Sequence, residues 1–351
     1  MPATPPPLRL MHLMLSKEQG GAERFFMKLA RAMDARGVPQ RLVVEPGLPW
    51  EAEARADGLD VAPIAFGGWR EPLARRALSR AVRSFRPDIV LAWMGRSAKR
   101  LPQRRAGETH INCVRYGGYF GLKQAGKADH VIVNTPDLAT YVADQGVDPG
   151  TVHVCVNFGG LDAAAPASRA ALDTPEGAPV VLALGRLVEK KGFDVLLRAV
   201  AKVPDHYLWL AGAGAEKDAL EALAAELSLA DRVRFLGWRD DQAALLAAAD
   251  VVCVSSRSEP FGNVVVEAWA SGTPLVATRS EGPGWLVTDE EDGLLVPIDD
   301  ADSLASAFQR LAADPGLAER LAAKGRETHA AHYSQDAVVR RYLDLFASLK
   351  A

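Results

Sequence analysis

The chain has 351 residues, too long for one ordinary domain and suited to two. Hydrophobic residues make up 48% and charged residues 24%, an ordinary globular balance that can bury real cores without staples. A formal net charge of -3 carries no global nucleic-acid signal. Cys113, Cys155 and Cys253 are far apart and form no CxxC pair, so they are expected as buried, reduced thiols of a cytosolic protein. No stretch reaches the roughly 18 uninterrupted apolar residues of a membrane helix. The opening Met-Pro-Ala-Thr-Pro-Pro-Pro reads as a flexible tail leading into the first strand rather than a signal peptide.

Strand-like and helix-like segments alternate along the chain. An apolar run over 8–15 ends in a loop over 16–21, and Phe26, Leu29, Ala30 and Met33 then repeat at helical spacing up to a stop at Gly37. Strands are expected at 41–44, 89–93, 111–114, 131–134 and 152–156. Residues 162–178 are small, Pro-containing and aperiodic, and we expect a linker there. A second alternation starts with a strand at 180–184 and a helix carrying Phe193, Leu196, Leu197 and Val200. Further strands are expected at 207–211, 233–236, 251–254 and 275–278. Such alternation predicts parallel sheets covered by helices on both faces. The expected α/β architecture is two doubly wound domains facing across a cleft, 1–165 and 166–333. In parallel sheets of this kind ligands bind beyond the carboxyl ends of the strands.

Three constellations sit at such ends. The first is Glu259-Pro-Phe261-Gly262-Asn263-Val264-Val-Val-Glu267 after the strand at 251–254. Pro260 disfavours helical geometry at Glu259 and keeps that carboxylate in the loop. Gly262 and Asn263 suit a turn into a helix whose free N–H groups face outward, and Glu267 lies in that helix's first turns. Helix N–H groups and dipole suit a phosphate, and the carboxylates suit sugar hydroxyls. Acidic residues simply favouring a helix N-terminus are the plainer alternative, but the Pro-Phe-Gly between them tips the reading to a site. The second is Gly185-Arg186-Leu-Val-Glu-Lys190-Lys191-Gly192. Arg186 and Lys191 can converge on one anion there, although a solvated basic loop would look alike; it is not a P-loop. The third, Gly20-Gly21-Ala-Glu23-Arg24, is a tight turn that can admit a phosphate or sugar near the backbone and is weak alone.

Taken in this order, the Gly-Gly-Ala loop, the Gly-Arg-Leu…Lys-Gly loop and the Glu–seven residues–Glu motif resemble family 4 of the retaining GT-B glycosyltransferases over nearly the whole chain. The stretch 259–278 follows the family pattern throughout. The resemblance implies transfer of a sugar from a nucleotide-sugar, UDP- or GDP-linked, with no metal and no further cofactor. Arg186 and Lys191 would hold the donor diphosphate and Glu259 the hydroxyls of the moving sugar, these three forming the catalytic set. Glu267 would bind the ribose. Phe261, Gly262, Asn263 and Val264 would line sugar and phosphate, with Gly185 beside them and Gly20 and Gly21 beneath the diphosphate. Gly237 and Trp238 would frame the base. The helix pattern over 334–351 would cross back to the first domain.

The chain departs from the family twice. Where many members carry a histidine after a strand of the first domain, the loop reads Val114-Arg115-Tyr116-Gly117-Gly118-Tyr119-Phe120. Either Arg115 or Tyr116 takes its role on the acceptor side, or no side chain does. After Thr278 the family more often has Gly-Gly and then Pro-Glu, but this chain has Glu281-Gly282-Pro283-Gly284-Trp285, which leaves the donor sugar open.

Asp300-Ala-Asp302 is formally a DxD metal signature, yet it precedes a helix start and is expected to cap it. Residues 69–105 hold eleven Lys and Arg against two acidic residues, a local charge of +9. That asymmetry favours an anionic acceptor or an anionic membrane surface, and not nucleic acid, for which no reader motif is present. The expected function is a hexosyl- or heptosyl-type transferase acting on a lipid-linked or polysaccharide acceptor, such as lipopolysaccharide core. It would work in the cytoplasm, free or at the inner face of the cytoplasmic membrane. The alternatives are a noncatalytic sugar-nucleotide scaffold, or another GT-B enzyme such as a nucleotide-sugar epimerase.

Overall fold

The computed structural model describes residues 8–17, 20–119, 127–159 and 164–350. The tail expected over residues 1–7 lies outside them. The chain forms two compact units, one of residues 1–157 and 338–351, the other of residues 158–337.

The first unit is built on seven parallel strands: β1 (Leu10–Met14), β2 (Gln40–Val44), β3 (Val61–Pro63), β4 (Ile89–Trp93), β5 (Ile111–Arg115), β6 (His130–Val133) and β7 (Val152–Val154), in the order β3-β2-β1-β4-β5-β6-β7. The central strands β1 and β4 are buried along their whole length, as continuous apolar runs covered on both faces must be. Helix α1 (Gly21–Asp34) turns Phe25, Phe26, Leu29, Ala30 and Met33 inward, and Gly37, with φ +72°, takes the left-handed turn that ends it. The polar exception in β1 is His12, wholly buried. Trp93 Nε1 donates to His12 Nδ1 at 3.1 Å, and Nε2 faces Gln40 Oε1 at 3.0 Å. Helix α3 (Glu71–Phe85) buries Ala74, Leu78, Val82 and Phe85.

The last helix, Gln335–Lys350, buries Val338, Val339, Tyr342 and Phe346, and from Val338 onward it is part of the first unit. Tyr342 accepts a hydrogen bond from Arg115 Nε at 2.9 Å, and Lys350 pairs with Asp88 at 2.8 Å.

The second unit carries six parallel strands: β8 (Val180–Leu184), β9 (Tyr207–Ala211), β10 (Val233–Gly237), β11 (Val251–Val254), β12 (Leu275–Thr278) and β13 (Leu294–Val296), in the order β10-β9-β8-β11-β12-β13. This is the doubly wound Rossmann order, which reverses direction between β8 and β11. Helix α6 (Phe193–Ala201) follows β8, α9 (Asn263–Ser271) follows β11, and α11 (Ala301–Ala313) follows β13. The core joins Val181, Ala183, Leu196, Leu197, Leu208 and Phe308. The crossing into this unit falls at Phe158, ahead of the Pro-containing stretch. There Gly159 already packs on the backbone of Val266 and Glu267, and its carbonyl faces His329 Nε2 at 3.0 Å.

The three cysteines are buried free thiols, and burial pushes Cys113 and Cys155 up to about 12. Asp300 caps α11: its carboxylate accepts from the Ser303 backbone N–H at 2.9 Å and from the Ser303 hydroxyl at 2.6 Å. The short strands β3 and β13 are additions to the pattern expected from sequence. Each is three residues long, too short to show a period.

Candidate active site

In the second unit the residues singled out by sequence collect at one place. The reversal of strand order leaves the loops after β8 and β11 side by side at the carboxyl edge of the sheet, where a doubly wound fold opens a crevice. The first loop holds Gly185, Arg186 and Lys191, and the second holds Glu259, Phe261 and Gly262. The two are laced together by backbone. Ser255 Oγ donates to the Lys191 carbonyl at 2.9 Å, and the Arg257 N–H donates to the Lys190 carbonyl at 2.8 Å. Gly192 sits at φ +63°, and a Cβ there would overlap the Ser255 carbonyl oxygen; only glycine allows this approach.

The Lys191 ammonium and the Glu259 carboxylate form an ion pair, both side chains largely shielded from solvent. The stem of Lys191 lies over Gly185, whose Cβ, if present, would stand 3.3 Å from Lys191 Cε. Arg186 is exposed, and its guanidinium has no hydrogen bond or ion pair with any described residue. Its charge is therefore available to an anion. Gly262, left-handed at φ +94°, precedes α9, while Phe261 is buried with its ring 6.5 Å from that of Tyr333. Asn263 is exposed at the start of α9, and Val264 and Glu267 are half-buried along it. The N-terminus of α9, shortly after Glu259 with its Lys191 partner and with Arg186 in the adjoining loop, suits a diphosphate, and the carboxylates suit hydroxyls.

Sequence reasoning passed over two supports of this arrangement. Arg257 lies between the loops and forks onto Asp194 at 2.9 and 2.8 Å, onto Asp299 at 2.6 Å and onto the Glu189 carbonyl at 2.8 Å. Burial pushes the Asp194 carboxyl up, but the hydrogen bonds and charge of Arg257 more than offset this and hold it below its ordinary value. The second support is Glu281, noted from sequence only as a departure. It accepts hydrogen bonds from the Ser258 hydroxyl at 3.1 Å and the Glu259 N–H at 2.9 Å. Next to it, the Gly282 N–H donates to the Glu259 carbonyl at 2.8 Å. Both ends of the Glu259 peptide unit are thus held by the loop after β12. The signal was a carboxylate where a turn would more simply carry glycine.

Gly237 ends β10 with φ +64°, and its carbonyl accepts from the Gly212 N–H at 2.7 Å, which brings the end of β10 beside the loop after β9. Trp238 is 56% exposed, and its indole N–H donates to Asp240 at 3.2 Å. In the first unit the Gly20 N–H donates to Glu23 at 3.0 Å where α1 begins, directly after the loop that follows β1; Gly21 is exposed. Arg115 and Tyr116 are both buried within that unit. The guanidinium lies 4.7 Å from the ring centre of Phe25 and 5.1 Å from that of Trp93, and it donates to Tyr342 and Asn157. The Tyr116 hydroxyl is buried without a hydrogen bond to any described residue and is pushed up to about 12 by that burial. Phe120 lies outside the described residues. Among those described, no three His, Cys, Asp or Glu side chains are placed to hold a metal ion, and no helix is long and apolar enough to cross a membrane.

Two Rossmann-like units with an anion-ready crevice at a switch point define the GT-B class of glycosyltransferase, and comparison with known proteins agrees. The pattern described as "Glycosyl transferases group 1" matches residues 165–328, and that described as "Glycosyltransferase Family 4" matches residues 19–158. The chain is 41% identical over 347 residues to the lipopolysaccharide core biosynthesis glycosyltransferase LpsE of Rhizobium meliloti (strain 1021), covering 97% of this chain and 99% of that one. It is 40% identical to LpsD of the same organism, over 97% and 98% of the two chains. Among solved structures, Anabaena Alr3699/HepE in complex with UDP superposes with a TM-score of 0.81 at 20% identity, over 97% of this chain and all of that one. The chain belongs to glycosyltransferase family 4 and is a glycosyltransferase.

Proposed function

We propose that the protein transfers a sugar, with retention of anomeric configuration, from a UDP- or GDP-sugar to an anionic, lipid-linked acceptor of the lipopolysaccharide core. The observation that carries the donor half is the convergence of unpartnered Arg186, the Lys191–Glu259 pair and the start of α9 at one switch point. When the bond from sugar to diphosphate breaks, negative charge grows on the leaving phosphate. In this reading Arg186, Lys191 and the helix dipole meet that charge as it develops, so little reorganisation is needed and no metal or other cofactor is called for.

In this reading Arg186 and Lys191 hold the diphosphate and Glu259 takes the hydroxyls of the moving sugar. Glu267 takes the ribose. Gly185, Phe261, Gly262, Asn263 and Val264 line the donor, Gly237 and Trp238 frame the base, and Gly20 and Gly21 lend backbone to the diphosphate. Arg115 and Tyr116 support the acceptor side from within the first unit. The UDP bound to the Anabaena protein supports a nucleotide donor. The names of the two Rhizobium relatives support a core oligosaccharide acceptor, and with it action at the inner face of the cytoplasmic membrane.

The test is thermal stability with UDP, GDP, ADP and CMP. A ligand at a hundredfold excess over its Kd adds about 2.7 kcal/mol to the folded state. One nucleoside diphosphate should raise Tm, and Arg186→Ala and Glu267→Ala should each abolish the rise. A rise that survives both substitutions would place the nucleotide elsewhere.

A further inference from the structure

We infer that the outward face of α3, led by Trp69, is a docking surface for an anionic lipid bilayer. The inward side of the helix is fully used: Ala74, Leu78, Val82 and Phe85 pack into the core of the first unit. Counting back from these positions at 100° per residue, the opposite side carries Leu73, Arg76, Arg80 and Arg83, with Trp69 one turn ahead in the helical turn Gly68–Arg70. All five are exposed. Trp69 is 77% and Leu73 55% exposed, and the Arg70 guanidinium lies 5.4 Å from the Trp69 ring centre.

Charge complementarity selects the occupant. The guanidinium groups of Arg76, Arg80 and Arg83 make no hydrogen bond or ion pair with any described residue. The one acid on the helix, Glu71, is turned aside: one carboxylate oxygen pairs with Arg75 at 3.2 Å and the other with Arg100 at 3.1 Å. The outward stripe is therefore about 20 Å long, cationic over about half of that length, and ends in two large apolar side chains. A core-facing helix with a merely solvated surface has no use for an exposed tryptophan and leucine at one end of an arginine row. That combination matches a bilayer interface. An indole and a leucine seat at the headgroup boundary, while arginines spread on lipid phosphates. A flat nucleic-acid backbone would take the arginines but leave Trp69 and Leu73 in water.

The inference rests on the reading of a lipid-linked acceptor, because it places the enzyme where that acceptor resides. The full chain is sedimented with phosphatidylcholine vesicles, with and without about 30% phosphatidylglycerol, at low and high salt. Binding is expected only with the anionic lipid. Arg76→Ala, Arg80→Ala and Arg83→Ala together should weaken it on the order of a hundredfold, at roughly fivefold per arginine. Trp69→Ala with Leu73→Ala should remove the part of binding that survives high salt. The UDP-induced rise in Tm serves as the control for folding and for the donor site in every variant. Vesicle binding that is absent, or unchanged in both variants, overturns the inference. So does arginine-dependent binding to duplex DNA without vesicle binding. A UDP response without vesicle binding overturns docking and leaves the donor reading standing. Arginine-dependent vesicle binding without any nucleotide response does the reverse.

Discussion

The Glu281 carboxylate accepts the backbone N–H of Glu259 at 2.9 Å and the hydroxyl of Ser258 at 3.1 Å, and so fixes the loop that presents Glu259 to Lys191. The glutamate we propose for the donor sugar does not hold its own position. A carboxylate 22 residues further on, at the start of a short helix after β12, holds it instead.

Glu281→Ala should therefore lower kcat about tenfold, in line with a lost hydrogen bond to a charged acceptor, while leaving UDP binding nearly unchanged. Glu281→Gln, which keeps one acceptor oxygen, should recover part of the loss. Steady-state kinetics set beside a UDP melting shift separates the two effects; equal loss of UDP binding would mean that Glu281 shapes the whole crevice.

Gly192→Ala should damage the site through the backbone. The new Cβ meets both a left-handed φ and the Ser255 carbonyl oxygen, a strain of about 1–3 kcal/mol. The loop that carries Lys191 must shift to relieve it. The expected result is a lower Tm together with loss of the nucleotide response. A normal response at a normal Tm would show that the two loops are looser than their hydrogen bonds imply.

Arg115 is a buried cation without a carboxylate partner among the described residues. Two aromatic faces and two neutral oxygens hold it instead. Arg115→Ala leaves a cavity and strands the Tyr342 hydroxyl against the last helix, which should cost about 3 kcal/mol in urea unfolding. Arg115→Lys should rescue little, because an ammonium lacks the planar fork that stacks and donates at once. Full rescue by lysine would make charge, rather than shape, the operative property.

His12 gives the fold an acid limit. Desolvation by burial lowers it to about 4 from 6.5, despite the opposing hydrogen bond with Gln40. Between these values the unfolded chain binds a proton that the folded chain refuses. The contribution of His12 to stability is thus whole above pH 6.5 and is lost as pH falls toward 4. At 1.36 kcal/mol per unit, going from pH 7 to pH 5 should cost about 2 kcal/mol more in the wild type than in His12→Gln. Urea melts at the two pH values measure this difference. Parallel losses would place the acid sensitivity in other groups.

The sequence by itself determined the two parallel sheets and the loops at the carboxyl ends of their strands. Strand–helix alternation is a local, periodic property, and each proposed donor motif is a contiguous run after an apolar strand: Gly185–Gly192 after β8 and Glu259–Glu267 after β11. The strands at 180–184, 207–211 and 251–254 stand where the apolar runs put them. Only the tertiary structure decided which loops meet. Strand order, which no single run of residues encodes, brings Lys191 to Glu259 across 68 residues and Glu281 back onto Glu259. It also buried Arg115 and Tyr116 in the first unit, with Tyr342 brought to Arg115 across 227 residues. The charge of residues 69–105 was plain from composition, but its partition was not. Glu71 pairs with both Arg75 and Arg100, and the turn of α3 leaves Trp69, Leu73 and three arginines facing water, because side-chain direction is set only when the opposite face is packed.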